Sequence, residues 1–402
     1  MRALLVQTGN LMATISKYET ASGAMLYRVR YRTPDHRQTD KRGFKTKRDA
    51  EAFAATVEVD KLTGSYVAPA LGKITVGALG PDWLTRQQGI IKPSAFHSVE
   101  SAWRVHVETR WAATAIADIN HSAVQAWVTG LATKRKGTVV ITAYSVLARI
   151  LDDAVKDRRL AVNPARGVKL PARVKRKNIY LTAEQLQWLA VESGRYGSLV
   201  LLLGTAGLRW GEAAALRVGD VEFLKRRIVL HENAVTVGGD VHVGTLKSGK
   251  SRTVPLAAFV VDELAATCKG KEHGELIWSA RDGGHLGPPS SHDSWLSGAV
   301  DRCQAVAGAA RVKESKGGKE PTTAVFPRIT AHALRHTAAS LAISSGANVK
   351  VVQRMLGHSS AAMTLDVYAD LFDDDLTAVA DKLDESVGKV WAQRLRITGQ
   401  QT

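Results

Sequence analysis

The chain has 402 residues, with 55 Lys and Arg against 38 Asp and Glu, and a formal charge of +17 at neutral pH. At 45% hydrophobic it can bury real cores, which excludes wholesale disorder, and its length points to two or three domains. A charge this positive calls for a polyanionic partner, nucleic acid first and an anionic membrane surface second. No run of about 18 apolar residues is present, so no membrane span is expected. Met1 to Leu11 is too short and polar for a signal peptide, and Met12 is a second candidate start. Two cysteines, Cys268 and Cys303, exclude a disulfide framework and fit a reducing cytoplasm.

Proline and charge punctuation divide the chain into three modules. In the first, residues 13–65, Leu26 to Arg32 alternates strictly. A strand there carries Arg28, Arg30 and Arg32 on one face and Tyr27, Val29 and Tyr31 on the other. Pro34-Asp35 signals a turn, Thr39 to Phe44 a returning strand. Thr46 to Asp49 reads as a capping box opening a helix to about Leu62, with Ala50, Phe53, Ala54 and Val57 inward. A small sheet with an all-arginine face suits a DNA groove. The alternative is a solvated edge protected by charge.

The second module, residues 74–173, reads as all-helical. Helices are expected over Ile74–Thr85, Ser94–Val107, from Asn120 through Leu131, and over Thr138–Asp157, each with apolar residues three and four apart. Trp83, Trp103, Trp111 and Trp127 are read as packing residues. Basic residues far outnumber acidic ones here. Lys134, Arg135 and Lys136 form a loop patch able to touch phosphate, whereas Lys156, Arg158 and Arg159 close a helix, where cations also offset its dipole. Arg173, Lys175, Arg176 and Lys177 form an extended basic linker able to strap across a duplex.

The third module, residues 180–395, opens with a helix capped by Thr182. A nearly all-apolar helix, Ser198 to Gly204, is broken by Gly207. Three short strands are expected at Arg227–Leu230, Val241–Leu246 and Arg252–Pro255, and helices resume near Ala257, Ser294, Ala331, Val349 and Leu376. The stretch 270–327, rich in Gly, Ser, Pro and His, is the hardest to assign. The whole is expected to be multidomain and mainly α, with small β-sheets.

Polar residues stand in this module where the local pattern wants none. Arg209 follows a buried helix, a costly place for a charge unless it meets an anion, and Glu212 three residues on can partner it. Lys247 lies in the turn between the second and third strands. His332 and Arg335 share a helical face. His358 follows Leu356-Gly357 at a helix end, and Tyr368 lies one turn of chain beyond. Taken singly, each has a bland reading: a salt-bridged arginine, a solvated lysine, a core tyrosine. His336, four residues from His332, lacks the Glu of a zinc protease pattern. Cys268, His273, His285, His292 and Cys303 lack tight ligand spacing, so no metal is expected.

In order, Arg209, Lys247, His332 with Arg335, His358 and Tyr368 resemble the Arg–Lys–His-x-x-Arg–His–Tyr signature of the tyrosine site-specific recombinases. The local strings T-A-G-L-R-W-G-E, K-S-G-K-S-R-T-V-P-L, H-A-L-R-H-T, L-G-H-S-S and Y-A-D agree. The resemblance spans about Tyr180 to Leu383. Upstream, the chain resembles the phage integrase branch: an arm-site-binding domain of sheet plus helix, then a helical core-binding domain. It implies a mixed α/β catalytic domain in which Tyr368 attacks the scissile phosphate, Arg209 and Arg335 hold its non-bridging oxygens, and Lys247 protonates the departing 5′ oxygen. His332 hydrogen-bonds the phosphate or helps take the phenol proton, His358 adds a donor, and Glu212 supports them. It implies no cofactor. The implied partners are duplex attachment sites, a homotetramer on DNA, a directionality factor and a host DNA-bending protein, all in the cytoplasm of the host. The tail, Leu376 to Leu395, with Val379, Leu383, Val387, Val390 and Trp391 as an apolar stripe, would dock on a neighbouring protomer or pack in cis. Two rival readings share some of these residues: a type IB topoisomerase-like relaxing enzyme and a non-catalytic DNA-binding regulator.

Overall fold

The computed structural model describes residues 13–34, 36–63, 66–68, 70–172, 178–246, 249–316, 318, 320–371, 381 and 383–391. The chain divides into two compact units, Met1–Lys175 and Arg176–Thr402.

The first unit contains two separate apolar cores. Strands β1 (Thr14–Glu19), β2 (Met25–Arg32) and β3 (Gln38–Phe44) form an antiparallel sheet in that order. Alternation along β2 sends Val29 and Tyr31 inward, against Ala50 and Val57 of α1 (Lys47–Leu62). Thr46 caps α1, its hydroxyl accepting the Asp49 N–H at 3.1 Å. The strand β1 was not expected, because within its charged and polar run only Ile15 joins the core. The arginine face also needs correction. Register sets Arg28 opposite Arg42 and Arg30 opposite Asp40, so an acid sits within the basic face. The Arg42 guanidinium donates to Asp40 at 2.9 Å and holds that carboxyl below its usual range.

The second core is helical: α2 (Val76–Gln88), α3 (Pro93–Ala102), α4 (Glu108–Trp111), α5 (His121–Ala132) and α6 (Gly137–Lys156). A π-helical turn, Trp103–Val107, joins α3 to α4 and rotates Trp103 and Val107 into the interior. Trp83, Trp103 and Trp111 are buried, and Trp127 packs edge-on against Trp111. Gly80 is obligatory here: a Cβ would lie 1.9 Å from the Trp103 ring. Asn120 caps α5, and the Tyr144 hydroxyl of α6 donates to the Ala165 carbonyl at 2.9 Å.

In the second unit, α7 (Ala183–Glu192) begins at a full capping box between Thr182 and Gln185. The apolar α8 (Gly197–Ala206) runs through the main core and packs on α12 (Ala331–Ser344). Gly207 ends α8 in the left-handed region (φ 66°), and the short α9 (Trp210–Ala214) follows. Among the described residues of this unit five strands are present rather than three. β4 (Val221–Glu222), β5 (Arg227–Leu230) and β8 (Arg252–Pro255) form one sheet, and β6 (Glu232–Val237) pairs with β7 (Asp240–Thr245) as a hairpin. Only His231 separates β5 from β6, which is why one run of sequence conceals two strands. Then come α10 (Ala258–Cys268), α11 (Trp295–Ser315), α12, α13 (Val349–Leu356) and α14 (Ala361–Tyr368). The hard-to-assign stretch contributes Trp278, Cys303 and Phe326 to the core. Among the described residues, no helix is long and apolar enough to cross a membrane.

Candidate active site

Two glycine-ended helices, α8 and α13, build the site together with α9, α12, α14 and β8. Asn348 caps the start of α13, and Gly357 closes it at φ 64°, with Gly357 N–H bonded to Arg354 O and His358 N–H to Gln353 O. This is the paired-bond stop that glycine permits, and it delivers His358 at a fixed point beyond the helix. The His358 Nδ1 lies 3.0 Å from the Thr364 hydroxyl of α14.

Arg335, on α12, is 3% exposed. Its guanidinium donates to the carbonyls of Gly207 and of Leu356, the latter at 2.6 Å. Both carbonyls lie at helix C-termini, where the backbone dipoles present negative charge. Burial, then the neighbouring Arg209, pull Arg335 down to about 10, still charged at neutral pH. Arg209, at the cap of α9, donates to Glu212 at 2.9 Å and to the Gly357 carbonyl at 3.3 Å.

Glu212 is 1% exposed and holds a second cation as well. Arg252, the first residue of β8, donates to both its oxygens at 2.9 and 2.8 Å. Burial raises the Glu212 carboxyl, but hydrogen bonds and charge from Arg252 and Arg209 outweigh it and leave it lowered. Arg252 also lies under Gly357, where a Cβ would meet its guanidinium at 2.9 Å.

Tyr368 ends α14 and is 1% exposed, packed among Ala339, Ile343, Val352 and Leu356. Its hydroxyl lies 2.9 Å from His336 Nδ1. Burial pushes the phenol up to about 12, against the pull of Arg335. The His332 and His336 rings meet edge-on, with centroids 4.8 Å apart. Burial lowers His332, with Arg335 and Arg209 adding to the effect. It brings His336 to about 4 with help from His332 and Arg335, and His358 to about 4 with help from Arg335 and Arg209.

Arg209, Glu212, His332, Arg335, His358 and Tyr368 therefore converge, although 159 positions of chain separate the first from the last. Lys247 lies outside the described residues, between the buried Leu246 and the clamped Arg252. Arg173, Lys175, Arg176 and Lys177 also lie outside them. In the other unit, Arg30 and Arg32 are exposed while Arg28 is half-buried, donating to Ser16 at 2.8 Å. Lys134, Arg135 and Lys136 are exposed between α5 and α6. Two members of the site were missed. His336 was weighed only as a zinc ligand, although its spacing of four from His332 already placed both on one face. Arg252 stood inside a quoted string without a role.

A family model, the phage integrase family, matches residues 177–374. The integrase of Mycobacterium phage D29 is 26% identical over 342 residues, covering 81% of this chain and 84% of that protein. The ICEBs1 integrase of Bacillus subtilis (strain 168) is 24% identical, covering 73% and 78%. Among solved structures, the Tn1549 transposon integrase in complex with transposon right end DNA superposes with a TM-score of 0.59 at 20% identity, covering 77% of this chain and 99% of that one. A lambda integrase tetramer bound to a Holliday junction gives 0.51 at 16% identity, covering 86% and 96%. With the family match spanning residues 177–374, which hold the site, and integrases aligning over most of the length, the similarities support a tyrosine recombinase of the phage integrase branch.

Proposed function

We propose that the protein is a phage-type integrase that recombines two DNA attachment sites through a 3′-phosphotyrosyl intermediate and a Holliday junction. The observation that carries this is the convergence of a tyrosine hydroxyl, two arginines and three histidines around the ends of α8, α13 and α14. Arg209 and Arg335 are charged donors suited to the two non-bridging oxygens of a scissile phosphate. Their tethers are mostly neutral carbonyls, which orient the cations without cancelling their charge. Tyr368 attacks phosphorus, Lys247 protonates the 5′ oxygen as it leaves, and His332 and His358 donate to the phosphoryl oxygens. Glu212 fixes Arg209. The phosphotyrosine keeps the bond energy for rejoining, so the chemistry asks for no cofactor.

The wider reading assigns 13–65 to arm-site DNA through Arg28, Arg30 and Arg32. It assigns 74–173 to the core site through Lys134, Arg135 and Lys136, with Arg173, Lys175, Arg176 and Lys177 as the strap, and 180–395 to catalysis. Four protomers assemble on DNA in the host cytoplasm, with a directionality factor and a host DNA-bending protein as accessory partners. The described part of the tail supports docking in trans, since Leu383, Val387, Val390 and Trp391 are exposed in the isolated chain; Val379 lies outside the described residues.

Tyr368→Phe tests the assignment. It should bind core DNA as the parent does and form no covalent adduct on denaturing gels. An adduct in that variant would move the nucleophile elsewhere. A two-duplex joining assay separates recombination from simple relaxation.

A further inference from the structure

We infer that His336 is the general base for Tyr368, accepting the phenolic proton at Nδ1 as the hydroxyl attacks phosphorus. The inference rests on the recombinase reading above. His336 Nδ1 is 2.9 Å from the Tyr368 hydroxyl, within the reach that proton transfer requires, and the two rings meet edge-on with centroids 5.7 Å apart. The adjacent His332 lies beyond His336 on the same helix face. The contact crosses 32 positions of chain, so it is a product of the packing of α12 on the α14 end and not of local sequence.

The step balances without a further reactant. The Tyr368 O–H bond breaks and its proton goes to His336 Nδ1 while the tyrosyl O–P bond forms. The P–O5′ bond breaks, and the 5′ oxygen takes the proton of Lys247. On rejoining, the His336 imidazolium returns its proton to the departing phenolate.

The surroundings also time the transfer. The titratable and charged groups facing His336 are His332 and Arg335 on its own helix, Tyr368 on α14, and His358 beyond α13. Burial, with His332 and Arg335 adding to it, keeps the imidazole neutral in the free protein, at about 4, while burial against the pull of Arg335 keeps the phenol protonated, at about 12. Neither partner is then reactive. A scissile phosphate between Arg209 and Arg335 adds negative charge close by, which stabilises the imidazolium and raises the basicity of His336. Tyr368 is thus activated when a phosphate is in place and left inert otherwise.

The test uses the full-length protein and a duplex bearing the joined-end sequence of the element that carries the gene. The duplex is nicked beside the crossover so that the released strand diffuses away. Adduct formation is followed in single turnover from pH 7 to 9, with DNA affinity measured alongside to separate a folding loss from a chemical one. His336→Asn sets an amide where Nδ1 stands, keeping the bond but not the basicity; His336→Ala removes both. Both should form adduct on the order of 10²-fold more slowly at pH 7. Their rates should climb about tenfold per pH unit as hydroxide substitutes for the base, while the parent changes little. A parental rate and flat profile in His336→Asn would reduce His336 to a spacer. A faster rate in either variant would make the bond a resting latch. Either result overturns the inference. A parental adduct that maps to a residue other than Tyr368 would overturn the recombinase assignment beneath it.

Discussion

Glu212 carries a sharp stability consequence. Its carboxylate is buried and shared by two guanidinium groups, Arg209 and Arg252, whose side chains are 26% and 13% exposed. Breaking a buried pair leaves a charge without compensation and costs about 3–5 kcal/mol. Glu212→Ala should lower the unfolding free energy of the catalytic unit, read from urea denaturation, by that measure and abolish cleavage, whereas Glu212→Gln should recover part of the stability. Because the folded carboxyl is held below its ordinary value of 4.5, its contribution is complete above that pH and is lost as pH falls through the folded value. An acid titration of the fold should therefore be flatter in Glu212→Gln. If the parent and this variant lose structure in parallel, other carboxylates govern acid unfolding. The order of the signature residues was legible because each stands in a short string with its own turn or helix signal. The bonds from Tyr368 to His336 and from Glu212 to Arg252 were not, since pairs 32 and 40 positions apart meet only through tertiary packing.

Among the elements, the turn between β7 and β8 is fixed at both ends. Leu246 is 1% exposed and Arg252 is held by Glu212; Lys247, the proposed acid, stands between them in sequence and outside the described residues. Lys247→Ala should cleave ordinary DNA poorly and regain much of its rate on a 5′-bridging phosphorothiolate, because a thiolate leaves without a proton. Rescue seen instead with Lys250→Ala would show that the acid was misassigned. The long, strongly periodic α6 was easy to read: it begins within a residue of where spacing placed it. The two-residue β4, the polar β1 and the eight-residue α14 were not, since each is too short or too polar to carry a period of its own.

At the scale of the whole molecule, the sheet of β1, β2 and β3 has its own core and its own charged face, distinct from the helical core that follows. A fragment starting near Leu71 should therefore bind and nick core-site DNA yet fail to integrate. Arg28, Arg30 and Arg32 changed together to alanine should flatten the salt dependence of arm-site binding by about 0.9 in log–log slope for each phosphate contact removed. Core-site binding should be nearly unchanged. Equal loss at both sites would make the sheet part of the core clamp. Asp40, bonded to Arg42 within that face, offers an internal control: Asp40→Asn removes an opposing charge and should strengthen arm binding.

Arg335 joins the last carbonyls of two helices, Gly207 after α8 and Leu356 at the end of α13. Mechanically it is a tie-rod. Its anchors cannot drift independently: a Cβ at Gly207 would strike Leu356 at 2.6 Å, so the two helix ends are already in abutment. A force that draws the guanidinium toward an incoming phosphate is thus transmitted to α13 and, through His358 and Thr364, to the helix that ends in Tyr368. Grip on a phosphate and the placement of the Tyr368 hydroxyl become one displacement, felt at both ends of the same rod.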